Sequence, residues 1–379
     1  MYEVGKEIGL LRFFSIIALL YLYTFWKVTQ LWEASPVVSS LVTLGTFIFM
    51  LAPQFLYRSK SIIHEALFFR VWTWLGAIVM GIWATFFILS VLFDIALVFV
   101  GFFGTFDSHR QHLWILEISI LTSAVGLLQV LRGPRIKRVF VPIANLADDL
   151  IGFTIAQVSD LHVGPTIRRG YVEKVTRRIN AHQPDIVVLT GDIGDAAPTY
   201  LETHFAPLSG LRGKYGVFYV TGNHEYYWGI EKVLEQVKAV GCRILLNEHE
   251  VLRVKGSKLM VAGVTDSSGG HFDPAHEPNL IDAISTHESV QCKVLLSHRP
   301  ELYDQAERLG VQVQISGHTH AGQFFPFSLF IGFAHKYYRG LHAYKNLWLY
   351  VNPGTGYWGP ANRFASASEI TLLTLQKAR

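Results

Sequence analysis

Cysteine is almost missing from this sequence: Cys242 and Cys292 are the only two in 379 residues, and neither stands beside another metal-ligating side chain. That excludes a thiolate zinc site and a disulfide framework, and leaves two reduced, buried thiols as the expectation. Charge is scarce as well. Asp, Glu, Lys and Arg make up 16% of the chain against 50% hydrophobic residues, which is unusual for a soluble enzyme. The apolar excess lies almost wholly before residue 132. A net charge of +4, with no basic-aromatic stripe in the second part, argues against a nucleic-acid partner.

The first part is filled by apolar runs at about 10–31, 37–57, 71–104 and 113–131. Each is long enough to cross a bilayer, which takes about 20 residues. No small-x-small cleavage site follows the first run, so it reads as an anchor and not as a removed signal. Lys6, Arg12, Arg58, Lys60, Arg70, Arg132, Arg135, Lys137 and Arg138 flank the runs on one side, and only Lys27 and Arg110 on the other. Such a bias places the richer side in the cytoplasm. The expectation is a multi-pass membrane protein with a transmembrane domain of about four helices over 1–132, and a cytoplasmic domain over 133–379.

Arg132-Gly133-Pro134-Arg135 marks the boundary, and 139–142 starts the first strand of the second domain. From there apolar strands alternate with helical stretches such as 169–182 and 230–240, the pattern of an α/β architecture; 369–375 alternates and is β-branched enough to be a final strand. Five strands end in clusters of acid and imidazole: Asp160-Leu161-His162, Gly191-Asp192, Gly222-Asn223-His224-Glu225, Ser297-His298 and Gly317-His318-Thr319-His320. Loops at the carboxyl ends of strands are where open α/β sheets place their sites. The inventory of two Asp, one Asn and four His besides His224 suits Mn, Fe or Zn. Seven O/N ligands are too many for one ion and fit two sharing a carboxylate.

In this order the five blocks resemble the calcineurin-like metallophosphoesterases, over roughly residues 150–375, and the chain looks like the membrane-tethered branch of that family. The resemblance implies a four-layered αββα sandwich behind the membrane helical bundle. It implies that Asp160, His162 and His320 hold a first ion, that Asp192 bridges, and that Asn223, His298 and His318 hold a second. It also implies that His224 protonates the leaving oxygen. The activity so implied is hydrolysis of a phosphate ester or pyrophosphate bond by a two-metal hydroxide. The bilayer is the expected partner, and some members of the branch cleave UDP-diacylglucosamine or act on phospholipid headgroups, so a lipid-linked or headgroup substrate is expected. The alternatives are a nucleotide phosphodiesterase or nuclease, and a catalytically silent membrane sensor or scaffold.

Glu225 reads as a group orienting a neighbouring ligand histidine. Asp195 and Asp266 lie near turn signals and read as groups supporting the site or, more commonly, as turn or helix caps; His112 and His204 read as surface or turn histidines, and Arg299 and Arg363 as phosphate contacts or, more commonly, surface arginines. The aromatic segment 324–333, directly after the last cluster, fits either a core strand and turn or an apolar lip at the membrane, with Lys336 and Arg339 at headgroup level.

Overall fold

Four long helices open the chain, and the apolar runs within them leave those stretches no polar face to present to water. The computed structural model describes residues 2–32, 35–58, 66–100 and 108–378. Lys60 and the end of the third apolar run, 101–104, lie outside the described residues. The helices are α1 (Tyr2–Trp32), α2 (Pro36–Arg58), α3 (Leu67–Val100) and α4 (Ser108–Arg132). Among the described residues, three stretches are long and apolar enough to cross a membrane: Pro36–Pro53, Leu67–Phe99 and Arg110–Arg132. The chain divides into two compact units, Met1–Ala124 and Val125–Arg379, so that α4 starts in the first and ends in the second.

The first unit hides a set of polar side chains between its helices. Lys27 of α1 is buried; its Nζ lies 2.6 Å from Asp94 Oδ1 of α3 and 3.0 Å from His112 Nε2 of α4. Tyr23 donates its hydroxyl to Asp94 Oδ2 at 2.6 Å, and Lys27 Nζ stands 4.2 Å from the ring centre of Trp26. His112 is therefore an interior histidine and not the surface residue its sequence setting suggests. An ammonium among apolar helices is tolerable only beside a countercharge. Lys27→Met, which leaves Asp94 without its cation, is expected to cost the helical unit about 2 kcal/mol. Thermal unfolding in detergent reads this, and an unchanged midpoint would show that the cluster does not hold the helices together.

The second unit is two six-stranded sheets. The first has the order β1 (Arg135–Ile143), β12 (Glu369–Lys377), β2 (Thr154–Val158), β3 (Ile186–Thr190), β4 (Gly216–Val220), β5 (Arg243–Ile244). The second runs β10 (Gly340–Tyr344), β11 (Leu347–Val351), β9 (Val313–Ser316), β8 (Cys292–Leu296), β7 (Ser257–Gly263), β6 (Glu248–Val254). Strands β2 to β5 are mutually parallel, as are β7, β8, β9 and β11. Strands buried on both faces must be apolar throughout, which is why Ile186–Thr190 reads as an unbroken run. Ile155, Val188 and Phe218 of the first sheet pack against Val261, Val294 and Ile315 of the second.

Outside the first sheet, the helices Arg169–Asn180 and Ile230–Ala239 bury Val172, Val175, Val233 and Val237. Outside the second, Leu280 and Ala283 of the helix Leu280–Ile284 pack on Met260 and Leu295. The result is the four-layered αββα arrangement, with Cys242 and Cys292 both free and buried.

Candidate metal centre

The parallel strands of both sheets deliver their carboxyl ends to one place. Asp160 and His162 follow β2, Asp192 follows β3, Asn223 and His224 follow β4, His298 follows β8, and His318 and His320 follow β9. Asp160, His162, Asp192, His318 and His320 all have φ between 49° and 71°. Non-glycine residues in the left-handed region cost about 1 kcal/mol or more each, and such strain persists only where the surroundings impose it. Gly222 has no substitute here, because a Cβ would run into the carboxylate of Asp192.

These turns gather the side chains into adjoining groups whose ligand atoms lie within 4.8 Å of one another: Asp160, His162 and His320; Asp192, His298 and His318; and His162, Asp192 and His224. His162 Nε2 faces His320 Nε2 at 3.0 Å, and His298 Nε2 faces His318 Nδ1 at 3.2 Å. Asp192 Oδ2 stands 3.2 Å from His298 Nε2 and 3.9 Å from both His162 Nε2 and His224 Nε2. Asn223 Oδ1 is buried without a hydrogen-bond partner. Facing imidazole nitrogens and an orphaned amide oxygen are poorly satisfied as a hydrogen-bond network, and they fit the donor set of a divalent cation.

The electrostatics agree with that reading at three of the four candidate ligand rings. Burial lowers His162 to about 3 and His318 to about 2, and lowers His320 well below the usual imidazole range. Three rings are thereby neutral, the state in which histidine binds a metal. Burial also raises Asp160 to about 6. For His298 burial works against the charged form, but the Asp192 carboxylate outweighs it and raises the ring well above its ordinary value. His298 Nδ1 donates to the Thr190 carbonyl at 2.7 Å, which turns Nε2 toward Asp192.

His224 is set apart from the other rings. Its Nδ1 donates to Asp195 Oδ1 at 2.9 Å, Trp228 Nε1 donates to the same oxygen, and Nε2 is turned to the cluster. Burial opposes protonation of this ring, but the hydrogen bond and charge of Asp195, with Asp192 and Glu225, raise it to about 9. Bound cations would act in the opposite sense. Asp195 is thus a partner of His224 and not merely a turn cap; its spacing of three from Asp192 was the available signal.

Glu225 also departs from expectation. Its carboxylate touches no ligand histidine; it accepts the backbone N–H groups of Asp192, Ile193, Gly194 and Gly222, at 2.7 to 3.3 Å. It therefore fixes the two loops that carry Asp192 and Asn223. Arg363 is fully buried, donating to the carbonyls of Pro353 and Gly356 with Nη2 3.2 Å from His320 Nδ1. Arg299 is half-buried and pairs with Asp266 at 2.9 Å. His204 is interior too.

The profile of the calcineurin-like phosphoesterase family matches residues 153–322, a stretch that holds all seven candidate ligands and His224. Over 273 residues the chain is 33% identical to an uncharacterized metallophosphoesterase of Campylobacter jejuni, a match covering 69% of this chain and 70% of that protein. It is 32% identical over 279 residues to a transmembrane protein with metallophosphoesterase domain from Danio rerio, covering 72% of this chain and 64% of that one. Its identity to the Bos taurus protein of the same description is also 32%, over 69% of this chain and 61% of that one. The chain thus spans somewhat less than two-thirds of the length of these two vertebrate relatives. On the motif blocks, the sandwich and these identities together, the chain belongs to the calcineurin-like metallophosphoesterase family.

Proposed function

We propose that this chain is a membrane-bound, metal-dependent phosphohydrolase that cleaves a phosphate ester or pyrophosphate bond in a lipid-linked or headgroup substrate. The carrying observation is the sharing of Asp192 between neighbouring ligand clusters. Asp160, His162 and His320 would hold one divalent ion, Mn, Fe or Zn, and Asn223, His298 and His318 a second, with Asp192 between them. Ions bound there supply positive charge that offsets the phosphoryl oxygens and lowers the pKa of water. Neutral rings and the amide of Asn223 would leave that charge largely uncancelled, and the Asp192 carboxylate would offset the repulsion between the two cations.

His224 is the proton donor in this reading. Asp195 holds its Nδ1–H, so the proton that moves to the leaving oxygen is the one on Nε2. Four spans, with α1 as the first, and the excess of flanking Lys and Arg on one side support a cytoplasmic catalytic domain. The apolar helices favour a substrate that is itself held in the bilayer.

His224→Gln is expected to lower kcat on a phosphodiester by about 10²-fold, and Asp195→Asn by about tenfold, with KM changed little. Metal content by mass spectrometry should stay at the wild-type level in both. Loss of metal in His224→Gln would make that residue a ligand and remove its role as acid.

A further inference from the structure

The segment 324–333 divides into a rooted base and an exposed tip. Phe324 is buried, whereas Phe327, Leu329, Phe330 and Phe333 are exposed, Phe333 at 89%. The excursion leaves directly from the last candidate ligand, His320, and is closed at its base by Thr319 Oγ1 donating to the Tyr338 carbonyl at 2.6 Å. Gln323 exchanges hydrogen bonds with the backbone of Trp358, whose half-exposed ring stands 5.5 Å from that of His224. The apolar tip is therefore an extension of the wall of the metal cluster.

The base of the segment is linked to the last part of α4 through Phe364 and Arg363. Phe325 N–H donates to the Phe364 carbonyl at 3.0 Å, and Arg363 N–H donates to the carbonyl of Gly126 at 3.3 Å. Gly126 lies within Arg110–Arg132, a stretch long and apolar enough to cross a membrane, about 9 Å from its end at 1.5 Å per residue. A cavity of about 250 Å³ adjoins the same place, lined by Gln129 of α4 with Arg135, Lys137, Arg339 and the buried Glu369, which pairs with Lys137 at 3.7 Å and leaves the basic side chains in excess. Lys336 instead lies over the rings of Tyr303, Tyr337 and Tyr344. Exposed aromatics beside a helix end with a basic rim match the interfacial layer of a bilayer, where rings lie at the acyl boundary and Arg and Lys meet lipid phosphates.

We infer that the tip, Phe327, Leu329, Phe330 and Phe333, with the basic rim of Arg135, Lys137 and Arg339, is a docking surface for anionic phospholipid in the bilayer crossed by α4, and that it opens the metal cluster to a lipid entering sideways. The substrate half rests on the phosphohydrolase reading above; the docking half stands on the geometry of the tip and of α4.

The full chain in nanodiscs of phosphatidylcholine and phosphatidylglycerol tests both. Cys242 and Cys292 are buried, so a fluorophore can be placed on Phe333→Cys, and in a second sample on Lys238→Cys. Lys238 belongs to the helix preceding β5, which lies five strand positions, about 24 Å, from β1. Lipids spin-labelled near the headgroup should quench the Phe333 site at least about threefold more than the Lys238 site. Equal quenching at the two sites overturns the docking surface. The triple variant Phe327→Ser, Phe330→Ser, Phe333→Ser should keep turnover of bis-p-nitrophenyl phosphate while losing about tenfold on phospholipid in the nanodisc. Equal loss on both substrates overturns the lateral port. If the wild type turns over neither substrate, the phosphohydrolase reading fails and the quenching still decides the docking.

Discussion

Asp192→Asn is expected to lower metal-dependent turnover by about 10³-fold or more. Asp192 is the carboxylate that faces His162, His224 and His298 at once, so its charge is the one that two cations held by the neighbouring groups would share. Asparagine keeps the size and leaves an amide oxygen able to accept the His224 backbone N–H, which Asp192 Oδ1 now does at 2.9 Å. Fold and expression should therefore survive. A neutral amide does not offset the repulsion of two divalent ions, so the variant should carry fewer than two per chain. Steady-state hydrolysis of a soluble phosphodiester beside metal analysis reads both effects. Retained turnover would indicate that Asp192 does not join the two groups of ligands.

Glu225→Ala should have the largest effect on stability within the second unit. The substitution strands four buried N–H groups at Asp192, Ile193, Gly194 and Gly222. With a buried donor costing about 1–3 kcal/mol when unsatisfied and partial rescue by water, the expected loss is about 4 kcal/mol. Because those amides belong to the loops that hold Asp192 and Asn223, metal affinity should fall with stability. Chemical denaturation in detergent, with and without Mn, checks this. Wild-type stability with reduced activity alone would point to a direct role for Glu225 in the reaction.

The candidate cluster was legible because each of its residues follows an apolar strand, and the two sheets bring the ends of their parallel strands together. The five strands expected to end in the acid and imidazole clusters are present as β2, β3, β4, β8 and β9. What tertiary contact alone decides was not legible. Arg363 lies 43 residues beyond His320 yet sits fully buried behind it, and no local pattern marks a buried arginine. Glu225 looks like a helix-start acid, and only the approach of the loop after β3 turns it into an acceptor for four amides. Placement of β12 between β1 and β2 depends on the last residues of the chain returning to the first sheet. The segment 324–333 was ambiguous for a different reason, since its base is core and its tip is surface, and hydrophobicity is alike in both.

Phosphate or nucleotide release by the full chain, purified in detergent with Mn and offered bis-p-nitrophenyl phosphate, phospholipids and nucleotide-activated lipids, tests the central claim most directly. The account predicts metal-dependent hydrolysis of a lipid-linked substrate, absent without divalent ions and absent in Asp192→Asn. A chain that binds two ions and releases nothing from any of these substrates would contradict it.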